Sequence, residues 1–217
     1  MYKIDLHTHS VASPDGSLTL EHYRRMLAAG QLDYIAITDH NRIDFALAAH
    51  AELGQAIIVG EEITTQQGEV IGLFLERPVP AGLPLAEAVQ CVRAQHGLVY
   101  VPHPFETLRS GVQSGPLDSI APHVDVLETY NGRALFQNKS REATAWAAAH
   151  RKPGAASSDA HGRRGWGRTY SIIGQPPTAQ NLARLLQSAH YQRRTVGLIG
   201  GLYPKYNRLR KAGRRYA

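Results

Sequence analysis

Cysteine is nearly absent from this chain. Cys91 is the single cysteine in 217 residues, which excludes an internal disulfide and fits a reducing, cytoplasmic setting. No apolar run reaches the roughly 20 residues that a membrane-spanning helix needs, so no membrane partner is expected. Met1 leads within a few residues into an alternating apolar stretch, so no signal peptide is expected. There is no repeat, no low-complexity block and no internal linker. Acids are missing from one place in particular. After Leu202 come Lys205, Arg208, Arg210, Lys211, Arg214 and Arg215 with no Asp or Glu among them. Six of the 24 basic residues lie there, which leaves 18 basic against 18 acidic residues elsewhere, so the net charge of +6 belongs to the tail. A basic tail over 203–217 is ordinarily a solvated extension, and contact with nucleic acid or another anionic surface is the less favoured reading.

What is present is an ordinary globular composition, 43% apolar and 19% charged. The length suits one α/β domain, here residues 1–202. Tyr2–Leu6, Tyr34–Thr38, Ala56–Val59, Leu98–Val101, Val124–Leu127 and Gly154–Ser157 read as short strands, and Ile63–Thr65 with Glu69–Leu75 as a hairpin across Gln66-Gln67-Gly68. Helices are expected near 20–29, 43–53, 85–96, 135–150 and 179–189, and a last strand at 195–199. Strand–helix alternation argues for a parallel sheet with crossover helices.

Strand after strand ends in residues able to bind metal. His7 and His9 sit two apart at the end of the first strand and share a face. His40, Glu62, His103, Glu128, Asp159 and His161 follow at later strand ends, and Asp15 lies in the loop after the first. In a closed barrel the C-terminal strand ends converge on one rim, whereas an open sheet spreads them along a line. A lone histidine is ordinarily a core or surface residue, but five imidazoles and four carboxylates at such positions form a set. Mononuclear sites use three or four protein ligands, so nine candidates imply two to three divalent ions. A nitrogen and oxygen donor set without thiolate suits zinc, manganese or iron. Asp39 reads as orienting His40 or capping a turn, and Glu61 points away from Glu62. His22, His50, His96, His123, His150 and His190 lack the strand-end context and read as structural or solvated.

His7-Thr-His9-Ser, Thr38-Asp39-His40-Asn, Gly60-Glu-Glu62-Ile, Pro102-His103-Pro and Ser158-Asp159-Ala-His161 resemble, in order, the motifs of the PHP (polymerase and histidinol phosphatase) phosphoesterase family. The resemblance implies a distorted (β/α)7, TIM-like barrel with a trinuclear centre that hydrolyses phosphoesters. Carried over, His7, His9, Glu62 and Asp159 would hold one ion, Glu62 would bridge to a second held by His103, and Asp15, His40 and His161 would hold the third. Glu128 stands where many members have a further ligand, often histidine. Val70-Ile71-Gly72-Leu73 lacks the histidine that some members carry before Gly-Leu.

These features together imply a metal-dependent phosphoesterase, in first place a phosphomonoesterase for a small phosphorylated metabolite or nucleotide. Water activated by the ions would be the nucleophile. Ser157 and Ser158 lack the Gly-x-Ser-x-Gly context of a nucleophile. Protonation of the leaving group would fall to a metal-held water, or to His40 or His161 if they are not ligands. Arg133 and Arg168, beside Glu128 and Asp159 in sequence, are the candidates for gripping phosphate. The alternatives are a nuclease-like phosphodiesterase that holds nucleic acid with its tail, and a metal-binding barrel without turnover. Amidohydrolase chemistry shares the barrel and His-x-His, but the bridging lysine it generally uses is missing from every strand end. Deleting residues 203–217 separates the first two readings: it should spare a small ester and cripple activity on a polymer.

Overall fold

The computed structural model describes residues 1–135 and 137–213. Arg214, Arg215 and Tyr216 of the basic tail lie outside the described residues, as does Phe136 within the expected helix 135–150. Among the described residues nine strands run in one sheet: β1 (Tyr2–Asp5), β2 (Tyr34–Ile37), β3 (Ile57–Thr65), β4 (Gly68–Leu73), β5 (Leu98–Val101), β6 (Val126–Asn131), β7 (Gly154–Ser157), β8 (Tyr170–Ile173) and β9 (His190–Gln192). The helices are α1 (Leu20–Ala28), α2 (Asp44–Leu53), α3 (Leu85–Arg93), α4 (Ser114–Ile120), α5 (Ser140–Ala149), α6 (Leu182–Leu186) and α7 (Gly197–Gly213). None of them is long and apolar enough to cross a membrane.

The spatial order is β7-β6-β5-β4-β3-β2-β1-β8-β9. β1, β2 and β3 pair in parallel, as do β5, β6 and β7, while the β3–β4 hairpin and β8 add antiparallel neighbours. The sheet curls until β7 meets β8. There the contact is a side chain on a backbone: Ser171 Oγ accepts from Ala156 N at 2.9 Å and donates to Ala156 O at 3.1 Å. Past the strand ends, His9 N donates to Ala160 O at 2.9 Å and joins β1 to β7 directly. The result is an α/β fold with a nearly closed sheet, a distorted TIM-like barrel.

Periodicity explains the two apolar layers. Ile4, Ala36, Ile58, Ile71, Tyr100, Val126 and Ala155, one from each of β1 to β7, fill the barrel, and Leu182, Leu185 and Leu186 of α6 plug the end away from the ligand residues. A second cluster lies between the sheet and helices α1 to α5. Each fully buried Leu or Ile contributes about 1.5–3 kcal/mol. Thr19 caps α1 in a reciprocal pair with His22, so that histidine is structural.

Two expected elements are corrected. Thr195–Ile199 is not a strand. Gly197 adopts φ 76°, Leu198 and Ile199 are exposed, and the chain turns there into α7; a β-branched run misled the reading because its only buried member is Val196. Between the strands expected at 98–101 and 124–127, where no helix is expected, Ser114–Ile120 forms a short one, α4.

β3 continues past Gly60, so Glu61 and Glu62 face opposite sides. Glu61 is fully buried, its Oε2 accepts from Val79 N at 2.8 Å, and its Oε1 has no partner. Burial pushes its carboxyl up to about 7, against the lowering effect of the Val79 hydrogen bond. A raised folded-state pKa means that this group's contribution is intact below about 4.5 and lost as pH rises through about 7. Glu61→Gln should therefore stabilise the protein at pH 8, on the order of 3 kcal/mol, and make little difference at pH 4.5. Urea unfolding at both pH values measures this, and a gain of equal size at the two would refute it.

Candidate metal centre

Glu62, on β3, is the hub of the rim. Its Oε2 lies 3.3 Å from His7 Nε2, 3.2 Å from His9 Nε2 and 3.4 Å from His40 Nδ1, and its Oε1 lies 3.0 Å from His103 Nε2. Asp159 stands opposite, with Oδ1 3.6 Å from His7 Nε2, 3.5 Å from His9 Nε2 and 3.3 Å from His161 Nδ1. Asp15 Oδ1 lies 3.6 Å from His40 Nε2 and 3.5 Å from His161 Nε2. Donor atoms fall within 4.8 Å of one another in four groups: His9, Asp15, His40 and His161; His7, Glu62 and His103; His7, His9 and Asp159; and His40, Glu62 and Glu69. Eight of the nine candidate ligand residues thus converge, and Glu69 joins them from the hairpin.

Glu128 is the ninth, and its place is different. Its Oε1 accepts from Tyr100 OH at 2.8 Å, its Oε2 from His103 N and Asn131 Nδ2 at 2.7 Å each, and His7 Nδ1 lies 3.2 Å from Oε1. Both oxygens are engaged beneath the rim. Glu128 fixes His7 so that Nε2 faces the cluster, the usual relation of a carboxylate to a ligating imidazole. Asp39 likewise serves the frame, accepting from Ser10 N at 2.7 Å and Ser10 Oγ at 2.5 Å.

The backbone is shaped to the same end. Asp159 and His103 have φ of 53° and 29°, values that side-chain-bearing residues seldom adopt and that concentrate at functional sites. Gly16 lets the Asp15 loop lie on the His9–Ser10 segment, where a Cβ would come within 2.0 Å of Ser10 O. Gly111 does the same against His103 O, at 2.2 Å.

Two guanidinium groups close one side. Arg133 Nη1 donates to Asp159 Oδ1 at 2.9 Å and lies 3.1 Å from His161 Nδ1. Arg109 donates from Nη1 to Asp159 Oδ2 at 2.6 Å and to Asn131 Oδ1 at 2.8 Å, while Nε and Nη2 hold Glu106. Arg168 is not in this group: it is exposed and lines a separate depression with Tyr170, Gln192 and Arg194. From the other side α7 packs over the rim. Arg208 Nη2 donates to Asp15 Oδ2 at 2.6 Å, and buried Asn207 donates to Asp15 O at 2.8 Å and His161 O at 3.0 Å. The cavity between these walls has a volume of about 530 Å³.

Charge in the rim is heavily perturbed. Burial alone would lower His7 and His9, but Asp159 and Glu62 outweigh it and raise both, His9 to about 9. Burial, with help from His9 and Arg133, keeps His161 below its ordinary value, and burial keeps His103 low against the pull of Glu62. Burial and the nearby Glu62 carboxylate push Glu69 up to about 8. Such crowding of like charges calls for cations. The residues fit divalent ions on a second count: buried Asp15 Oδ1 and His103 Nδ1 have no hydrogen-bond partner in the protein. Nitrogen and oxygen donors without thiolate suit zinc, manganese or iron.

Sequence reading missed Glu69, Arg109, Tyr100, Asn131, Asn207 and Arg208. Asn131 ends β6 but is not a metal-binding type, the others carry no motif, and only the fold brings them in. Because ions that bind the folded state stabilise it, chelated protein should gain about 4 kcal/mol when manganese or zinc is added to roughly a thousand times its dissociation constant. His9→Ala should lose most of that gain. Thermal unfolding with and without metal measures it, and equal gains in the two proteins would count against the site.

With the geometry in place, comparison with known proteins is informative. Two uncharacterized proteins of Methanocaldococcus jannaschii are related in sequence. MJ1587 is 30% identical over 149 residues, covering 63% of this chain and 87% of that protein, and MJ0417 is 36% identical over 168 residues, covering 73% and 65%. A crystal structure of a two-domain protein from Bacteroides vulgatus, containing a predicted PHP-like metal-dependent phosphoesterase, superposes with TM-score 0.70 at 18% identity, over 89% of this chain and 65% of that one. At that identity the likeness is one of fold. This chain spans slightly under two thirds of MJ0417 and of the Bacteroides protein. The family model for the PHP domain matches residues 5–164, a stretch that holds every one of the eight converging residues and Glu69, and the chain belongs to the PHP domain family.

Proposed function

We propose that the protein is a metal-dependent phosphomonoesterase acting on a small phosphorylated metabolite or nucleotide. The observation that carries this is the pairing of an acidic, imidazole-rich floor with two guanidinium groups, Arg109 and Arg133, facing one cavity. His7, His9, Glu62 and Asp159 would hold one ion, His103 with Glu62 a second, and Asp15, His40 and His161 a third, with Glu69 as a further donor. When bound, such ions lower the pKa of water towards neutrality and offset charge on phosphoryl oxygens. The protein's own part is positional. Arg133 and Arg109 present a fork to phosphate oxygens; both are anchored on Asp159, so each would bind without much further ordering. Glu128 with Tyr100 and Asn131 keeps His7 turned to the rim. His40, the most exposed imidazole of the set, is placed at the mouth and is the candidate to protonate a leaving group where it is not engaged as a ligand. The half-buried thiol of Cys91 is consistent with a cytoplasmic enzyme.

One observation keeps a phosphodiesterase reading in view: Lys205 and Arg208 of α7 line the same cavity. Deleting 203–217 no longer separates the readings, since it removes the Arg208 and Asn207 contacts to the Asp15 loop. Substrate choice does. With manganese or zinc present, p-nitrophenyl phosphate should be hydrolysed much faster than bis-p-nitrophenyl phosphate. Asp159→Asn should lower kcat by at least about 100-fold, and Arg133→Ala should lower kcat/KM by about 10- to 100-fold. A faster diester reaction would favour the second reading, and metal-loaded protein without turnover on a broad panel of phosphoesters would end both.

A further inference from the structure

The basic tail, one side of which walls the cavity, has a second surface that the catalytic reading leaves unused. α7 buries Gly200, Pro204 and Asn207 on one side. On another it exposes Leu198, Leu202 and Leu209, at 69%, 56% and 67%, spaced so that they form a stripe about 16 Å long. Ile199 and Tyr206, also exposed, widen it. Across the cavity mouth Leu108 is 73% exposed, and it lines the cavity together with Leu209. Soluble surfaces seldom gather aliphatic side chains in this way without a partner.

Charge points to what that partner is. Residues 160–217 hold 12 of the 24 Lys and Arg residues and none of the 18 acids. Lys205 and Arg210 border the stripe, and neither has an ion-pair partner among the described residues; Arg163 and Arg164 are exposed beside the start of α7, where Arg164 O approaches Gly200. A second copy of the chain would set this positive surface against itself. Nucleic acid would favour stacking aromatics over bare leucines. Leucines bordered by lysine and arginine on one helix match an anionic lipid surface, where the aliphatic groups enter the headgroup boundary and the cations meet phosphate.

We propose that α7 and Leu108 seat the protein on an anionic bilayer, with the cavity mouth turned towards the lipid. This departs from the expectation of no membrane partner, which rested on the lack of a spanning segment; α7 would lie on the surface without crossing it. The inference stands apart from the catalytic reading, so its test needs no activity. Full-length protein should sediment with vesicles of equal parts phosphatidylglycerol and phosphatidylcholine, and much less with phosphatidylcholine alone. Binding should fall as salt approaches about 1 M. Leu198→Ser/Leu202→Ser, two exposed positions that do not line the cavity, should bind at least about tenfold more weakly with an unchanged thermal midpoint. Arg210→Glu should weaken binding to the anionic vesicles only. The proposal is overturned if the wild type stays in the supernatant, if the double variant binds equally, or if gel filtration shows a dimer that the double variant disrupts.

Discussion

One carboxylate, Glu62, meets nitrogen atoms of four histidines that arrive from three other strand ends, all within 3.4 Å. Everything else in the rim can be understood as serving that convergence. Packing so many carboxylates and imidazoles out of water is costly unless cations and hydrogen bonds compensate. The protein supplies compensation from three directions: Arg109 and Arg133 on Asp159, Arg208 on Asp15, and Tyr100 and Asn131 on Glu128. What remains uncompensated lies on the cavity side, where Asp15 Oδ1 and the nitrogens around Glu62 face one another. That imbalance marks the rim as the candidate cation site as well as a salt-bridge network.

The parts of this arrangement that were legible in the sequence are those governed by local rules. His7 and His9 are two apart on a strand end, so their shared direction follows from the pleat. His40, Glu62, His103 and Asp159 each follow a compact apolar run, and the convergence of such ends follows from barrel closure. The rest depends on side chains whose reach is not local. Arg109 sits in a polar loop with nothing to mark it, yet it spans to Asp159, 50 residues on. Arg168 looked equivalent to Arg133 by proximity to Asp159 in sequence, but the chain turns it outward. Glu69 lies at the start of β4, away from the strand ends that carry the other ligand candidates, so nothing local marks it. α7 was hidden by Thr195-Val196 and Leu198-Ile199, residues that favour a strand wherever both faces can be buried, a condition this terminal segment does not meet.

The distribution of roles also explains why α7 matters although it lies beyond the stretch that matches the family. Asn207 satisfies two backbone carbonyls at once, one in the Asp15 loop and one at His161, and so couples the tail to two of the elements that carry candidate ligands. A segment that reads as an appendage is part of the wall of the site.

The junction between β7 and β8 has a consequence for how the protein holds together. Elsewhere the ring of strands is laced by ladders of backbone hydrogen bonds; here Ser171 stitches β7 to β8, and Asp5 and His9 reach across to Ser158 and Ala160. That link is made of side chains and single bridges in place of a ladder. Asp159 and His161 leave β7 on one side of that link, while His7 and His9 leave β1, the partner of β8, on the other. An ion shared by these residues would act as a clasp over the opening, so that occupancy of the centre and closure of the barrel become a single equilibrium.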